Sequence, residues 1–106
     1  MNQTEKISLI SKRFTYSDIG VPQVSVVKTS VYAFRFSAGQ TEFFNAGQQG
    51  LKPTAVFAVR STEYDGQDEL ESRNERLTVY RTYDRTDGRT ELYTTRRKGI
   101  DDAGRN

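Results

Sequence analysis

Five carboxylates lie close together in the second half of the chain: Asp65, Asp68, Glu69, Glu71 and Glu75. Carboxylates in such proximity can share a proton or hold a hard cation. Their order suits neither task, because Asp65-Gly66-Gln67-Asp68-Glu69 lacks the alternating ligands of a calcium loop. The stretch instead reads as a polar hairpin at a sheet edge, where charge blocks edge-to-edge pairing. From Arg76 to Lys98 the balance reverses, with Arg76, Arg81, Arg85, Arg89, Arg96, Arg97 and Lys98 set against Asp84, Asp87 and Glu91. Guanidinium forks beside Tyr80, Tyr83 and Tyr93 can meet phosphates or stack on bases. The competing reading for Arg76, Arg81 and Arg89 is a solvated strand face that pairs with the acidic hairpin. Arg96-Arg97-Lys98 stands apart, because nothing acidic closely precedes it.

What the chain lacks is as informative. It contains neither His nor Cys, which excludes Ser-His-Asp and Cys-His machinery and the usual zinc, haem and iron-sulfur ligation. Gly47-Gln48-Gln49-Gly50 is not followed by Lys-Ser or Lys-Thr and falls at the end of a predicted helix, whereas a phosphate cradle belongs at a helix start. The residues therefore point away from an enzyme and call for no cofactor and no metal. A net charge of only +2 argues against tight nucleic-acid binding.

The elements that would position these side chains are mostly strands. Ile7 and Leu9 alternate with polar neighbours over about 5–13. Ser17-Asp18-Ile19-Gly20 with Pro22 is turn chemistry, which predicts a flexible loop over about 14–23. Val24 and Val26 run in phase with Tyr32, Phe34 and Phe36, while Lys28 and Ser30 interrupt that face, predicting two strands or one bent strand. Ser37-Ala38-Gly39-Gln40 fits a capping box for one short helix, with Glu42 in its first turn and Gly50 then Pro53 as its stop. Thr54 to Thr62 is apolar on both faces at its centre and reads as a central strand. Tyr64 to Gln67 predicts a hairpin turn around Asp65-Gly66, 68–72 an edge strand and Arg73-Asn74 a second tight turn. Strands at Leu77 to Tyr83 and Arg89 to Arg96 complete the series, separated by a turn at 84–88. This spacing is the rhythm of a small antiparallel barrel or sandwich.

At 106 residues the chain reads as one domain, with a core over about 5–96 and a mobile polar tail over 97–106. Leu, Ile, Val and Phe are sufficient to escape the composition of disorder, and six Tyr and six Phe supply anchors. The first twelve residues have no apolar targeting stretch, and the longest apolar run, Ala55 to Val59, is far too short to span a membrane. The expectation is a soluble chain without export or membrane contact.

Several segments together resemble phage head-tail joining proteins, also described as head-completion, stopper or head-tail adaptor proteins of tailed siphophages and prophages. The resemblance covers about Val31 to Thr95. It rests on Phe34-Arg35-Phe36-Ser37-Ala38-Gly39-Gln40-Thr41-Glu42-Phe43-Phe44-Asn45-Ala46, Gly50-Leu51-Lys52-Pro53, Val56-Phe57-Ala58-Val59-Arg60, Glu63-Tyr64-Asp65-Gly66 and Val79-Tyr80-Arg81-Thr82-Tyr83-Asp84-Arg85, in that order and spacing. At the second tight turn relatives commonly carry Tyr-Asn-Gly, where this chain has Ser72-Arg73-Asn74-Glu75. The resemblance implies a mainly β protein, a small antiparallel β-barrel of about six strands with one short α-helix. Family-like structural positions are Glu42, Phe43, Phe44, Gly50, Pro53, Tyr64, Gly66, Arg81 and Tyr83.

The resemblance implies a structural virion protein, made in the host cytoplasm and placed in the head-tail connector. Copies that are monomeric when free would close into a ring below the portal or adaptor protein, complete the DNA-filled head and present a surface to a tail-terminator or tail-tube protein, with genomic DNA passing through the channel. Tyr16 and Asp18 in the loop, and Arg96, Arg97 and Lys98 leading into the tail, are the candidates for partner or DNA-channel contacts. The alternatives are a free nucleic-acid-binding barrel using Arg85, Arg96 and Arg97 with Tyr83 and Tyr93, and a tail-terminator-type ring.

Overall fold

A computed structural model describes residues 3–96. It contains six strands, β1 (Gln3–Tyr16), β2 (Pro22–Phe36), β3 (Pro53–Arg60), β4 (Glu69–Ser72), β5 (Glu75–Asp84) and β6 (Arg89–Arg96), with one helix, α1 (Gln40–Gly47), between β2 and β3. A single 3-10 turn, Ser61–Glu63, follows β3. All neighbouring strands are antiparallel, and the sheet closes on itself in the order β1-β2-β3-β6-β5-β4. The helix is too short and polar to cross a membrane.

Each strand sends alternate side chains inward, as a closed pleated sheet requires. The core comprises Ile7 and Leu9 from β1, Val31 and Ala33 from β2, Ala55, Phe57 and Val59 from β3, Leu70, Leu77 and Leu92 from the other three. Phe57 is the largest fully buried side chain and fills the middle of the barrel. The predicted central strand is confirmed, since Val56 and Ala58 on its outer face are also fully buried. In register they lie between Phe34 and Phe36 of β2 on one side and Glu91 and Tyr93 of β6 on the other. Thr94 is buried without cost because its hydroxyl donates to the Ala55 carbonyl at 2.8 Å.

Four local expectations need correction. The 14–23 loop is much shorter: β1 and β2 pair without interruption to Tyr16↔Pro22, leaving only 17–21 as the turn. Ser17 closes that turn by accepting from Gly20 and Val21, with Gly20 at φ +85. β2 is one continuous strand, and its inward residues are Val31 and Ala33, not the Val24, Val26, Tyr32, Phe34 and Phe36 series. A six-stranded barrel has room opposite Phe57 for small side chains, so the large aromatics of β2 lie outside. The capping box does not form. Gly39 is the N-cap, no side chain caps the helix, and Glu42 has other partners.

The fourth correction concerns the acidic stretch, which is not a sheet edge. β4 is flanked on both sides, by β1 through Ser8↔Glu71 to Ile10↔Glu69 and by β5 through Glu69↔Thr78 to Ser72↔Glu75. Asp65-Gly66 also makes no hairpin, because the strands it separates, β3 and β4, are not neighbours in the barrel. Tyr64 instead packs on the core and donates from its hydroxyl to the Gln67 carbonyl at 2.7 Å, while Gln67 Oε1 accepts from the Asp65 N–H at 2.8 Å. The Arg73-Asn74 turn is as expected: both residues have positive φ, 55° and 64°, as a two-residue hairpin turn demands. The helix also stops at the glycine. Leu51 N–H reaches the Ala46 carbonyl and Gly50 N–H the Gly47 carbonyl, with Gly50 at φ +77.

Candidate functional site

Three groups of side chains stand out, and the sequence singled out parts of each. The first joins the helix to the barrel wall. Glu42 accepts from the Tyr80 hydroxyl and from Arg81 Nη2, each at 2.6 Å. The Arg81 guanidinium lies 4.0 Å from the centroid of the Tyr93 ring, which meets Tyr80 edge-on at 6.4 Å. Burial raises the Glu42 pKa, but the hydrogen bonds from Arg81 and Tyr80 and the charge of Arg81 outweigh it, so the carboxyl titrates below its ordinary value. Tyr80 is pushed upward by burial and by the Glu42 carboxylate it donates to. Tyr93 is raised by burial and by its 2.8 Å hydrogen bond to Glu91. Neither phenol is poised to ionise near neutrality, and the cluster works as a clamp that holds α1 against β5 and β6.

The second group closes one end of the barrel. Glu5 and Arg35 occupy positions that the strand alternation turns inward beyond Ile7 and Ala33. Glu5 meets Arg35 at 3.6 Å and Arg73 at 3.1 Å and accepts from the Ser72 hydroxyl, while Arg35 lies 5.2 Å from the Phe57 ring centroid. Sequence reading missed this plug. The available signal was a charged residue on each strand, in phase with the apolar core positions.

The third group is an arm. β1 pairs with β4 only over Ser8 to Ile10, and β2 with β3 only over Phe34 to Phe36. Beyond Ile10 on β1 the two strands continue as a two-stranded ribbon that carries its turn away from the barrel. The Cα radius of gyration is 15.4 Å, against about 13 Å for a compact chain of this length. Phe14 faces Val24 and Lys12 faces Val26 across the ribbon. These residues and Tyr16 therefore share one face, while Ile19 is exposed in the turn and Val21, opposite Ser17, falls on the other face. Phe14, Tyr16 and Ile19 are 73%, 74% and 85% exposed. Two further large apolar side chains, Phe43 and Phe44, are exposed on α1, and Tyr32 and Tyr83 on the barrel wall.

The structure distributes the predicted site residues unevenly. Tyr16 and Asp18 are both exposed at the arm tip. Arg96 stays largely exposed and forms an ion pair with Glu75, brought alongside by β5–β6 pairing although distant in sequence. Arg97, Lys98 and the 97–106 tail lie outside the described residues. The other arginines of that run are also engaged: Arg76 with Glu69 at 3.0 Å, Arg81 with Glu42, Arg85 with Asp87 at 2.8 Å and Glu91 at 3.6 Å, and Arg89 over the Phe34 ring at 4.6 Å. Pro53 and Gly50 end the helix and start β3, and Tyr64 and Gly66 shape the 64–67 loop, with Gly66 at φ +80. Among the described residues no group of three or more metal-ligating side chains converges. Comparison with family models, with curated proteins and with solved structures finds no match to this chain.

Proposed function

We propose that this chain is a structural connector protein of a phage virion, assembling with copies of itself and with neighbouring rings between the DNA-filled head and the tail. The observation that carries this reading is the arm. A protein that works alone gains nothing from holding Phe14, Tyr16, Ile19, Val21, Val24 and Val26 in water on a projecting ribbon, whereas a protein built to dock does. The barrel with one short helix is the architecture that the resemblance to head-tail joining proteins implies. The internal pairing of Arg76, Arg81, Arg85 and Arg96 favours the same reading over a free nucleic-acid-binding barrel, because a cation already matched to a carboxylate releases few counterions on meeting a phosphate.

In this reading the barrel is the rigid body of each subunit, the arm reaches a neighbour, and genomic DNA is contained by the closed ring. The portal or adaptor protein would lie on one side and a tail-terminator or tail-tube protein on the other. A null allele in the parent phage or prophage tests it by electron microscopy. Heads that package and then leak DNA, beside unattached tails, are expected. Normal joined virions would overturn the proposal and promote the nucleic-acid alternative, which salt-dependent binding of the purified chain to DNA would then check.

A further inference from the structure

We infer that the apolar face of the arm seats on the exposed face of helix α1 in a second copy of the same chain, making a head-to-tail joint that repeats around the assembly. The inference deepens the connector reading and rests on it for the ring; the joint itself is argued from the two surfaces.

The first argument is area. Phe14, Tyr16, Val24 and Val26, which share one face, expose roughly 500 Å² together at ordinary side-chain sizes, well over half of the roughly 800 Å² that each partner contributes to a standard interface. The second is reach. The arm tip and α1 lie beyond opposite ends of β2, a strand of 15 residues that spans up to about 50 Å when straight. The arm of one copy therefore cannot cover its own helix, but it can cover that of the next.

The third argument is charge. Glu42 is the only charged residue within α1, and it faces the barrel in its pair with Arg81, so Phe43 and Phe44 (44% and 68% exposed) can be covered without desolvating an unpaired charge. A symmetric joint between two arms fares worse. Lys12 lies on the same face as Phe14 and Val26, so an arm-on-helix joint brings one lysine to the contact whereas pairing two arm faces would bring two like charges together. A contact between two different patches is heterologous, the kind that closes into a ring when the rotation allows.

Because the chain has no cysteine, the joint can be read by directed cross-linking. Val26→Cys marks the arm face and Gln48→Cys the helix beside Phe44. Oxidising a concentrated mixture of the two single variants is expected to give the mixed dimer in excess over either homodimer and over a Glu63→Cys control. Dominance of the V26C homodimer would overturn the proposal in favour of an arm-on-arm joint, and yields no higher than the control would overturn it outright. Sedimentation supplies the second measurement: Phe14→Ser and Phe44→Ser should each weaken self-association roughly thirtyfold, the loss of one buried aromatic anchor. The double variant should be little worse than either, because both remove the same contact. Additive losses would show that arm and helix serve separate contacts, and no loss with F44S would show that the helix is not an interface at all; either overturns the joint. Failure of the cross-link removes the joint alone, whereas joined virions from the null allele remove the connector reading.

Discussion

β1 and β2 run through two regions of the molecule, and the same residue types meet opposite fates in each. Near the barrel, Ile7, Leu9, Val31 and Ala33 are almost wholly buried; farther along the same strands, Phe14, Tyr16, Val24 and Val26 stand in water. Two things differ: the buried set lies on the face that strand alternation turns into the barrel and the exposed set on the opposite face, and the neighbouring strands end between them. Where β4 and β3 flank the pair, the sheet curves and closes around an interior; where they stop, a two-stranded ribbon has no interior to offer. Apolar residues on a strand thus report that a surface is to be covered without saying by which chain. In the barrel this molecule covers itself, and in the arm the surface is left for another.

The comparison is broken most severely from the barrel side. Phe57→Ala removes the side chain at the centre of the core and should cost about 3–5 kcal/mol, a large part of the roughly 5–15 kcal/mol that holds a domain of this size together. Urea unfolding would measure it. A loss under about 1 kcal/mol would mean that the interior relaxes around the gap and that barrel and arm differ less than their burial implies.

The clamp on α1 comes next. Glu42→Gln keeps the shape and removes the charge, and should cost about 1.5–3 kcal/mol, the range for hydrogen bonds to an ionised group. Because the Glu42 pKa is lowered in the fold, the contribution is complete above the ordinary value of 4.5 and is lost as pH falls through the lowered one. The acid limb of the wild-type stability profile should therefore be steeper than that of E42Q. Identical limbs would show that the helix is held by packing alone.

A smaller effect is expected at the β4–β5 turn. Asn74 sits at φ 64, a conformation that Asn tolerates and Ala does not, so Asn74→Ala should cost about 1 kcal/mol and Asn74→Gly should not. If both substitutions are neutral, the closing ladder holds the turn without help from its sequence.

How much of this could be read beforehand follows from what each residue's neighbours are. The strands, the Gly50 stop, the Arg73-Asn74 turn and the short helix depend on local chemistry, and the local chemistry was legible. The inward face of β2 was not, because periodicity gives two faces and no sign: Tyr32, Phe34 and Phe36 outweigh Val31 and Ala33 in apolar side-chain size, yet the small residues are the ones that line the core with Phe57. The ion pairs Arg81–Glu42, at 39 positions' separation, and Arg35–Glu5 depend on which strands become neighbours, information that closure of the barrel supplies. The arm shows the same limit. Turn chemistry at Ser17 to Pro22 suggested a loose loop, while the unbroken β1–β2 ladder makes a ribbon with a defined apolar face.

The smallest effect should lie in the arm, and its smallness is the sharpest statement of the comparison. Phe14 is 73% exposed, so folding hides little of its ring, and Phe14→Ser forfeits mainly the cross-strand contact with Val24, about 0.5 kcal/mol or less. Urea midpoints of F14S and wild type should nearly coincide. Amide exchange should separate the regions in the same sense: arm amides beyond Ile10 on β1 should exchange by local opening, while those of Val56 to Val59 wait for global unfolding. If F14S instead destabilised the chain by as much as a core substitution, or if arm and barrel exchanged together, the arm would belong to the folding unit. Its apolar face would then need an explanation in stability before one in assembly.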